Sequence, residues 1–482
     1  MSMSSRPAPF PGPHLPYELL VQIFTSCLPL HRRIEPDPKT APMVLTQVCA
    51  TWRDLALSMP ELWRAIRLYL HETNSDTMVA LLELWLSRSA QLTVSLCIRS
   101  YVSGPIPSGL QAALASCSLR WERIELDFRL HLSHGIPRIR GPFPCLRALA
   151  IRVDEEDYPA LLCASHSGCV DFPLLSALGL CDERSLTKDP DLRLPSSLVA
   201  LSLNRHDELF EPWDACLALV HCFPHLRHLT LSHIPPYFEQ DKCVGTITRL
   251  SRLETLHLQG DPHFLNFLVI PSLKSFQCLV MRDDQAAPVT AFLIRSGCKL
   301  EYFSIALDFM LTSSCAGCIH AIPPTSLRVL EVIFRAKRRQ HDPALDPLAH
   351  LSFLNLAALF PHLQVLRVFD EDETGQGQRL YSPFLAKLHG RLYPSLRRAE
   401  YHTGRPTPHN IALAELDSRV AESLMRNGLN LRLSNVGQRW PWAWTHDDDD
   451  SDTDYAPIPL GGEDRWFKAT TLRVFRPFSC DS

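Results

Sequence analysis

Apolar and polar positions follow a pattern that recurs along most of the chain beyond residue 110. An apolar residue is followed by two spacers, a second apolar residue, one spacer and a third apolar residue, and a Pro usually precedes the set, as in "FPCLRALAI", "FPHLRHLTL" and "FPHLQVLRV". The first aligned leucines are Leu146, Leu175, Leu198, Leu226, Leu253, Leu273, Leu300, Leu327, Leu363 and Leu396. The chain therefore contains an internal repeat with steps of 20 to 36 residues.

The end of each repeat unit predicts a short strand, because its Leu-x-Leu part alternates with period two. Between the units, stretches such as "PWDACLALVHC", "APVTAFLIRSG" and "YSPFLAKLHGRL" have apolar positions at helical spacing. Two earlier stretches, "QLTVSLCI" from residue 91 and "WERIELDF" from residue 121, predict strands that open the array behind the helix "MVALLELWLSRS". Such strands stack in parallel when each repeat packs on its neighbours.

Most of the steps between units lie near the period of a leucine-rich repeat. We therefore predict an α/β fold in which residues 69–435 form an irregular leucine-rich-repeat solenoid, with parallel strands and helical connections. The alternative is an irregular α/β domain in which the leucine spacing is a coincidence. A chain of 482 residues is too long for one compact core, so it forms either several domains or one extended array.

Two short amphipathic helices are predicted before the repeats. In "LPYELLVQIFTSCL" apolar residues recur at helical spacing, and Pro16 stands where a first helical turn tolerates it. The pattern returns from Val44 to Ala56 after a polar link that contains several prolines, and Pro60 ends it. Helices this short are marginal alone, so another surface must cover their apolar residues. On pattern alone, the rest of this chain and a second protein are equally good sources of that cover.

The N-terminal pattern resembles the F-box, which combines Leu-Pro, Glu-Leu-Leu, Ile-Phe and, after a gap, Val-Cys, Trp-Arg and a closing Leu-Trp. The matching residues are Leu15, Pro16, Glu18, Leu19, Leu20, Ile23, Phe24, Val48, Cys49, Trp52, Arg53, Leu62 and Trp63. The resemblance covers about residues 15–68. The long link between the two helices is similar to the variant that is common in the large fungal branch of the family.

The resemblance implies that residues 15–68 bind the Skp-type adaptor of a cullin-RING ubiquitin ligase. The residues implied in adaptor contact are Leu15, Pro16, Leu19, Leu20, Ile23, Phe24, Val48, Cys49 and Trp52. Other subunits would transfer ubiquitin, so the chain would recruit a substrate within an SCF-type ligase and would not be an enzyme. Two alternatives remain: a non-catalytic interaction scaffold whose F-box-like module acts outside a ligase, and an enzyme hidden in the degenerate repeats.

The composition limits the classes of binding partner and the cellular compartment that we expect for this protein. The formal net charge of -4 and the pI near 6.6 give no electrostatic reason to expect nucleic acid or an anionic membrane as a partner. We interpret the 16 Cys as reduced thiols of a soluble protein in the cytoplasm, the nucleus or both. No apolar run approaches the roughly 18 residues that a membrane-spanning helix needs. The Pro-rich segment 1–14 and the acidic run "DDDDSDTD" in the tail 436–482 predict disorder.

Candidate chemistry is sparse. "CAGCIH" supplies Cys315, Cys318 and His320, with Cys298 upstream, but a structural zinc site usually has two clear ligand pairs. Buried free thiols are the preferred interpretation, and no metal or other cofactor is predicted. The sequence contains no Gly-x-Ser-x-Gly elbow, no phosphate-binding loop, no dinucleotide fingerprint and no His-Glu-x-x-His motif.

The strand pattern also predicts a face for an unknown target protein. Period two places the residues between the apolar positions on the open sheet face, which repeat solenoids commonly use for partners. This outward set is Arg123, Glu125, Asp127, Arg152, Asn204, His228, Thr230, His257, Gln259, Tyr302, Glu331, Arg367, Phe369, Arg398, Glu400 and His402. The residues predicted to contact the target are Tyr302, Arg367, Phe369, His257 and Arg152, with the two aromatic residues as exposed anchors.

Overall fold

The computed structural model describes residues 15–29, 34–102, 106–128, 143–152, 170–180, 192–193, 195–204, 217, 220–234, 247–280, 285–308, 317–335, 360–371, 381–389, 395–403 and 415–435. The chain divides into two compact units, Met1–Leu175 with Asp189–Arg193 and Ser176–Lys188 with Leu194–Ser482. The segments 1–14 and 436–482, for which the sequence predicts disorder, lie outside the described residues.

The helices include α1 (Tyr17–Ser26), α2 (Leu45–Val48), α3 (Ala50–Ser58), α4 (Ser75–Arg88), α5 (Ser108–Ser116), α6 (Ala286–Ser296), α7 (Tyr381–His389) and α8 (Glu415–Arg426). Short 3-10 turns cover Pro60–Trp63, Ser118–Arg120 and Pro262–Phe267. Within the described residues, no helix has the length and apolar character needed to cross a membrane.

The strands of the first unit are β1 (Ala65–Leu70), β2 (Val94–Ser100), β3 (Trp121–Asp127), β4 (Ala148–Arg152), β5 (Val170–Asp171) and β7 (Leu192–Arg193). Strands β1 to β4 form a parallel sheet in chain order, and β5 pairs with β7 in a separate ladder. Helices α4 and α5 connect the first three strands, as parallel pairing requires.

The strands of the second unit are β6 (Ala177–Leu180), β8 (Ala200–Asn204), β9 (His228–Ile234), β10 (Thr248–Arg249), β11 (Thr255–Gly260), β12 (Leu268–Val269), β13 (Ser275–Val280), β14 (Tyr302–Asp308), β15 (Val329–Arg335), β16 (Val365–Glu371), β17 (Arg398–Thr403) and β18 (Asn430–Asn435). All except β10 and β12, which pair with each other, join one parallel sheet in chain order. The fold is therefore α/β and solenoid-like within this unit, because successive repeats add neighbouring strands.

The ten repeat units of the sequence lead into strands β4, β6, β8, β9, β11, β13, β14, β15, β16 and β17. A tight turn precedes many of them. In the Phe-Pro-x-Leu units, the N–H of Leu226 donates to the carbonyl oxygen of Phe223, and that of Leu363 to Phe360, both over 3.1 Å. Pro suits the second position of such a turn because its φ is preset. Leu226 and Leu363 are buried, so the turn sets which face of the next strand enters the core.

The predicted domain boundary at residue 68 differs from the structure. It falls inside β1, and the helices that precede β1 belong to the same compact unit as strands β1 to β4. Trp63 explains this continuity, because its ring contacts that of Trp85 on α4 at a centroid distance of 4.7 Å. Strand β18 and helix α8 extend the array beyond the last repeat unit that the leucine pattern identifies.

Candidate docking surface

The outer face of α1 carries apolar side chains that the rest of the described chain leaves exposed. Leu15 precedes the helix, Pro16 is its N-cap, and Leu19 and Ile23 follow one turn apart on the same face. Leu15 is 47% exposed, Leu19 44% and Ile23 39%. Exposed large apolar residues on one helix face are typical of a surface that another protein covers.

The inner face of α1 holds the module together. Phe24 is fully buried and Leu20 is half-buried. The ring of Phe24 contacts that of Trp52 on α3 at a centroid distance of 4.9 Å. Phe24, which the F-box resemblance implies in adaptor contact, therefore belongs in the free chain to the core between α1 and α3. Trp52 is half-buried and keeps part of its ring accessible.

Helices α2 and α3 add a second group of exposed apolar residues. Val48 is exposed at the end of α2, and Cys49 is exposed between the two helices. The Sγ of Cys49 accepts a hydrogen bond from the Trp52 N–H over 3.5 Å and so caps α3. We define the docking surface as Leu15, Leu19, Ile23 and Val48 with the accessible part of Trp52.

Two exposed apolar residues of the same helices are absent from the sequence prediction. Tyr17 on α1 is 58% exposed, and Leu57 on α3 is also exposed. Both occupy positions where the F-box pattern sets no residue type, so the motif carries no signal for them. Only the packing of the helices shows that these side chains face outward.

The opposite side of the module is a tight aromatic core. The indole N–H of Trp63 donates to the carbonyl oxygen of Ala56 over 2.9 Å, and that of Trp85 donates to Ala65 over 3.0 Å. The guanidinium of Arg88 lies 4.3 Å from the centre of the Trp63 ring. Leu62 and Trp63, which close the F-box pattern, are therefore structural residues that join the module to the first strands.

The long link between α1 and α2 is fixed to the sheet. The backbone N–H of Arg67 on β1 donates to the carbonyl oxygen of Ile34 over 2.7 Å, and the Arg67 side chain pairs with Glu35 at 2.9 Å. Ile34 and Ala41 are buried. These contacts hold the helices of the docking surface against strand β1.

The face predicted to bind a target protein contains a polar row that crosses the second unit in strict register. Its members are Gly179, Ser202, Thr230, His257, Gln277, Ser304, Glu331, Arg367, Glu400 and Arg432. Leu366 and Val368, on either side of Arg367, are buried in the core. The row therefore lies on the opposite face of the sheet, as strand alternation requires.

Hydrogen bonds and ion pairs link the last members of the row. Gln277 donates to Ser304 over 3.2 Å, and Ser304 donates to Glu331 over 2.9 Å. Arg367 lies between the two acids, with its Nη1 3.5 Å from Glu331 and its Nε 2.8 Å from Glu400. Burial lowers the pKa of the Arg367 guanidinium, but Glu331 and Glu400 outweigh it and raise that pKa above its ordinary value. The charges of Arg367 and the two glutamates therefore compensate one another, and the hydrogen bonds hold these side chains in fixed positions.

This face is buried, whereas the sequence interpretation placed it in solvent. The buried members of the outward set are Glu125, Asp127, His228, Thr230, His257, Gln259, Glu331, Phe369 and Glu400. Phe369 is only 4% exposed and packs with Ala306 and Ile333. The side of the sheet follows from alternation, but exposure depends on long-range packing. His257 and Phe369 are therefore not exposed anchors.

The other predicted target residues differ in their surroundings. Tyr302 is half-buried. The pKa of its hydroxyl is raised mainly by burial and, to a smaller extent, by the negative charge of the nearby Glu331. Arg367 is engaged by its two glutamates. Arg152 lies in β4 of the first unit, in register with Asp127, and its side chain is outside the described residues. Arg152 therefore belongs to a different unit from the other four.

His257 makes the stability of the second unit sensitive to acid. Burial lowers the pKa of His257 from 6.5 to about 3. Between these values the unfolded chain binds a proton that the folded chain does not, so stability falls as pH falls through this window. Relative to a His257→Gln variant, the native chain should lose about 2 kcal/mol more unfolding free energy between about pH 7.5 and about pH 5. Urea titrations at both pH values measure this difference, and equal losses would contradict it.

Two of the cysteines considered as metal ligands are buried thiols. Cys298 and Cys318 are free and buried, and burial raises the pKa of Cys298 to about 11. The Sγ of Cys318 donates to the Ala286 carbonyl oxygen over 3.4 Å. Cys315 lies outside the described residues. Among the residues that are described, no group of three or more His, Cys, Asp or Glu side chains is arranged to hold a metal ion.

Comparisons with known proteins leave the family of this chain open. No protein-family model matches the chain. No curated protein matches it either. A crystal structure of a Bacteroides fragilis protein is similar over 81% of this chain and 78% of its own chain, at 9% identity and a TM-score of 0.28. A likeness this weak carries no argument about fold or function.

Proposed function

We propose that this chain is a substrate-recruiting subunit of an SCF-type cullin-RING ubiquitin ligase. Its F-box-like helices bind a Skp-type adaptor, and its leucine-rich-repeat-like region binds a target protein. The adaptor links the chain to the cullin, and other subunits transfer ubiquitin. This role needs no catalytic residue in the chain itself.

The observation that carries the proposal is the division of the N-terminal helices into a buried and an exposed apolar side. Phe24 and Trp63 pack inward, while Leu15, Leu19 and Ile23 remain exposed on the outer side. Exposure of leucine and isoleucine side chains to water is unfavourable, so a partner that covers them gains binding free energy. The F-box resemblance of residues 15–68 names the partner class.

Strands that follow one another in register support the second half of the proposal. Strands β13 to β18 pair in register, so a partner that binds along this region can contact several repeats at once. The residues of this region that a target contacts remain to be mapped, because Phe369 is buried and Tyr302 is half-buried. The target itself remains to be identified by affinity capture.

The adaptor assignment is tested with Leu19→Ala combined with Ile23→Ala. The double variant should weaken capture of a purified Skp-type adaptor about 10-fold to 100-fold, because it removes two central apolar contacts. Biolayer interferometry on the full chain measures the change in Kd. Leu15→Ala combined with Pro16→Ala should act in the same direction at the start of α1.

The matched control is Leu84→Ala combined with Ile294→Ala, which removes similar exposed side chains from α4 and α6. Adaptor binding should stay unchanged in this control. Equal binding by the native chain and the Leu19/Ile23 variant, with an intact circular-dichroism spectrum, would disprove the docking surface. Recovery of the adaptor without cullin from cells would instead favour the interaction scaffold.

A further inference from the structure

A column of polar residues crosses the N-terminal ends of the strands in the second unit. Each member stands immediately before a strand, and the members are Arg227, Glu254, Lys274, Glu301, Arg328, Gln364 and Arg397. From Glu254 onward, the backbone N–H of each member donates to the carbonyl oxygen of the member before it over 2.8 or 2.9 Å. The column therefore follows the sheet from repeat to repeat, with neighbouring members about 4.8 Å apart.

The charges in the first part of the column pair with one another. The Nη2 atom of Arg227 lies 2.7 Å from the Oε1 atom of Glu254, and the Nζ atom of Lys274 lies 3.4 Å from the same oxygen. Burial raises the pKa of the Glu254 carboxyl, but Arg227 and Lys274 outweigh burial and hold that pKa below its ordinary value. The acid at this end is therefore compensated by its neighbours in the column.

The last part of the column has cations without such compensation. After Glu301 it continues with Arg328, Gln364 and Arg397, and both arginines are exposed. Within the described residues, neither guanidinium has an ion-pair or hydrogen-bond partner. Lys299 is also exposed, two residues before Glu301. We define the basic edge as Arg328, Gln364 and Arg397; it is locally positive although the whole chain has a net charge of -4.

The spacing of the two arginines matches a simple pattern of carboxylates. One strand separates Arg328 from Arg397, so their backbones are about 10 Å apart. A peptide in the polyproline II conformation has three residues per turn, so every third side chain points to the same side at intervals of about 9 Å. Guanidinium groups bind carboxylates through paired hydrogen bonds. The amide of Gln364 lies between the two arginines and can both donate to and accept from a peptide backbone.

We propose that the basic edge binds an extended acidic segment of a protein, with one carboxylate on Arg328 and a second, three positions along the segment, on Arg397. The inference rests on the proposed function, because it names the class of target that the repeats would recruit. Glu301 lies next to Arg328 in the column, so it repels such a segment and weakens its binding. The paired first part of the column offers no equivalent site.

Fluorescence anisotropy with the full chain tests this inference. The probe is a short fluorescein-labelled peptide with Glu at every third position and Gly or Ser between, and it should bind with saturation. The same peptide with Gln in place of Glu should not bind. Raising NaCl from about 50 mM to about 300 mM should weaken binding of the Glu peptide, because exposed charges are screened. Equal binding of the Gln peptide, or tighter binding of an oligonucleotide of the same charge, would overturn the proposal.

Arg328→Gln combined with Arg397→Gln should weaken binding of the Glu peptide about 5-fold to 20-fold, because two exposed ion pairs are lost. The matched control is Lys39→Gln combined with Arg249→Gln, which removes the same charge from two other exposed positions. This control should change the affinity less than about 2-fold. Glu301→Gln should tighten binding about 2-fold, because it removes the repelling carboxylate.

Unchanged affinity in the Arg328/Arg397 variant, or an equal loss in the control, would disprove the site. Circular dichroism of each variant verifies folding, and Arg397→Gln alone should still weaken binding about 3-fold if the double variant is unfolded. The Arg328/Arg397 variant should capture the Skp-type adaptor normally, and the Leu19/Ile23 variant should bind the peptide normally. Failure of this site is therefore distinct from failure of the ligase assignment.

Discussion

Phe369→Ala should lower the free energy of unfolding by about 3–5 kcal/mol. Phe369 is 4% exposed and contacts Ala306 and Ile333, so the substitution removes a buried ring and leaves a cavity between three strands. Equilibrium unfolding in urea, followed by circular dichroism, measures the loss. An exposed anchor at this position would instead have changed partner binding and left stability nearly unaltered.

Ile294→Ala provides the control for this measurement. It also shortens a large apolar side chain, but Ile294 is exposed on α6, so the change should stay within about 0.5 kcal/mol. If Phe369→Ala behaves like this control, the side chain is not part of a packed cluster. The result would then restore Phe369 as a candidate for direct target contact.

The repeat architecture could be predicted from the sequence because the residues that determine it are close together in the chain. The Phe-Pro-x-Leu turn and the Leu-x-Leu alternation act within about ten residues, so they place the strands and the side of the sheet that each residue faces. Glu331, Arg367 and Phe369 accordingly share one face. Their burial could not be predicted from the sequence, because it depends on groups that are distant in the chain.

The docking module shows the same division. Helical spacing and the F-box pattern identify α1 and α3, but both the buried Phe24 and the exposed Leu19 fit an apolar helical stripe. Periodicity alone does not distinguish the apolar residues that pack in the core from those that remain exposed on the helix surface. The contact of Trp52 with Phe24, which spans the long link, and the contact of Trp63 with Trp85 decide this.

Strand β1 illustrates a further limit. Its sequence, "AIRLYL", begins two residues after Trp63, and it follows a Met-Pro-x-Leu turn in which the N–H of Leu62 donates to the carbonyl oxygen of Met59 over 3.2 Å. The backbone N–H of Arg67 in this strand donates to the carbonyl oxygen of Ile34 in the link. The strand thus depends on a contact between the module and the array, which a division at residue 68 excludes.

Arg367→Leu should destabilise the second unit by about 3–5 kcal/mol, because it leaves two buried carboxylates with less compensation. Glu331 would keep its hydrogen bond from Ser304, and Glu400 would keep its ion pair with Arg398. Neither contact replaces the guanidinium that now bridges both acids. Urea unfolding measures the loss, and a neutral result would show that the ion pairs add nothing to stability.

A combined variant separates charge from packing. Adding Glu331→Gln and Glu400→Gln to Arg367→Leu removes the uncompensated charges while nearly preserving side-chain volume, so it should recover a substantial part of the lost stability. If the loss instead reflects only the missing arginine stem, the combined variant will be no more stable than Arg367→Leu. Recovery would show that Arg367 serves mainly to neutralise the buried acids, which explains why a face so rich in charge can be covered at all.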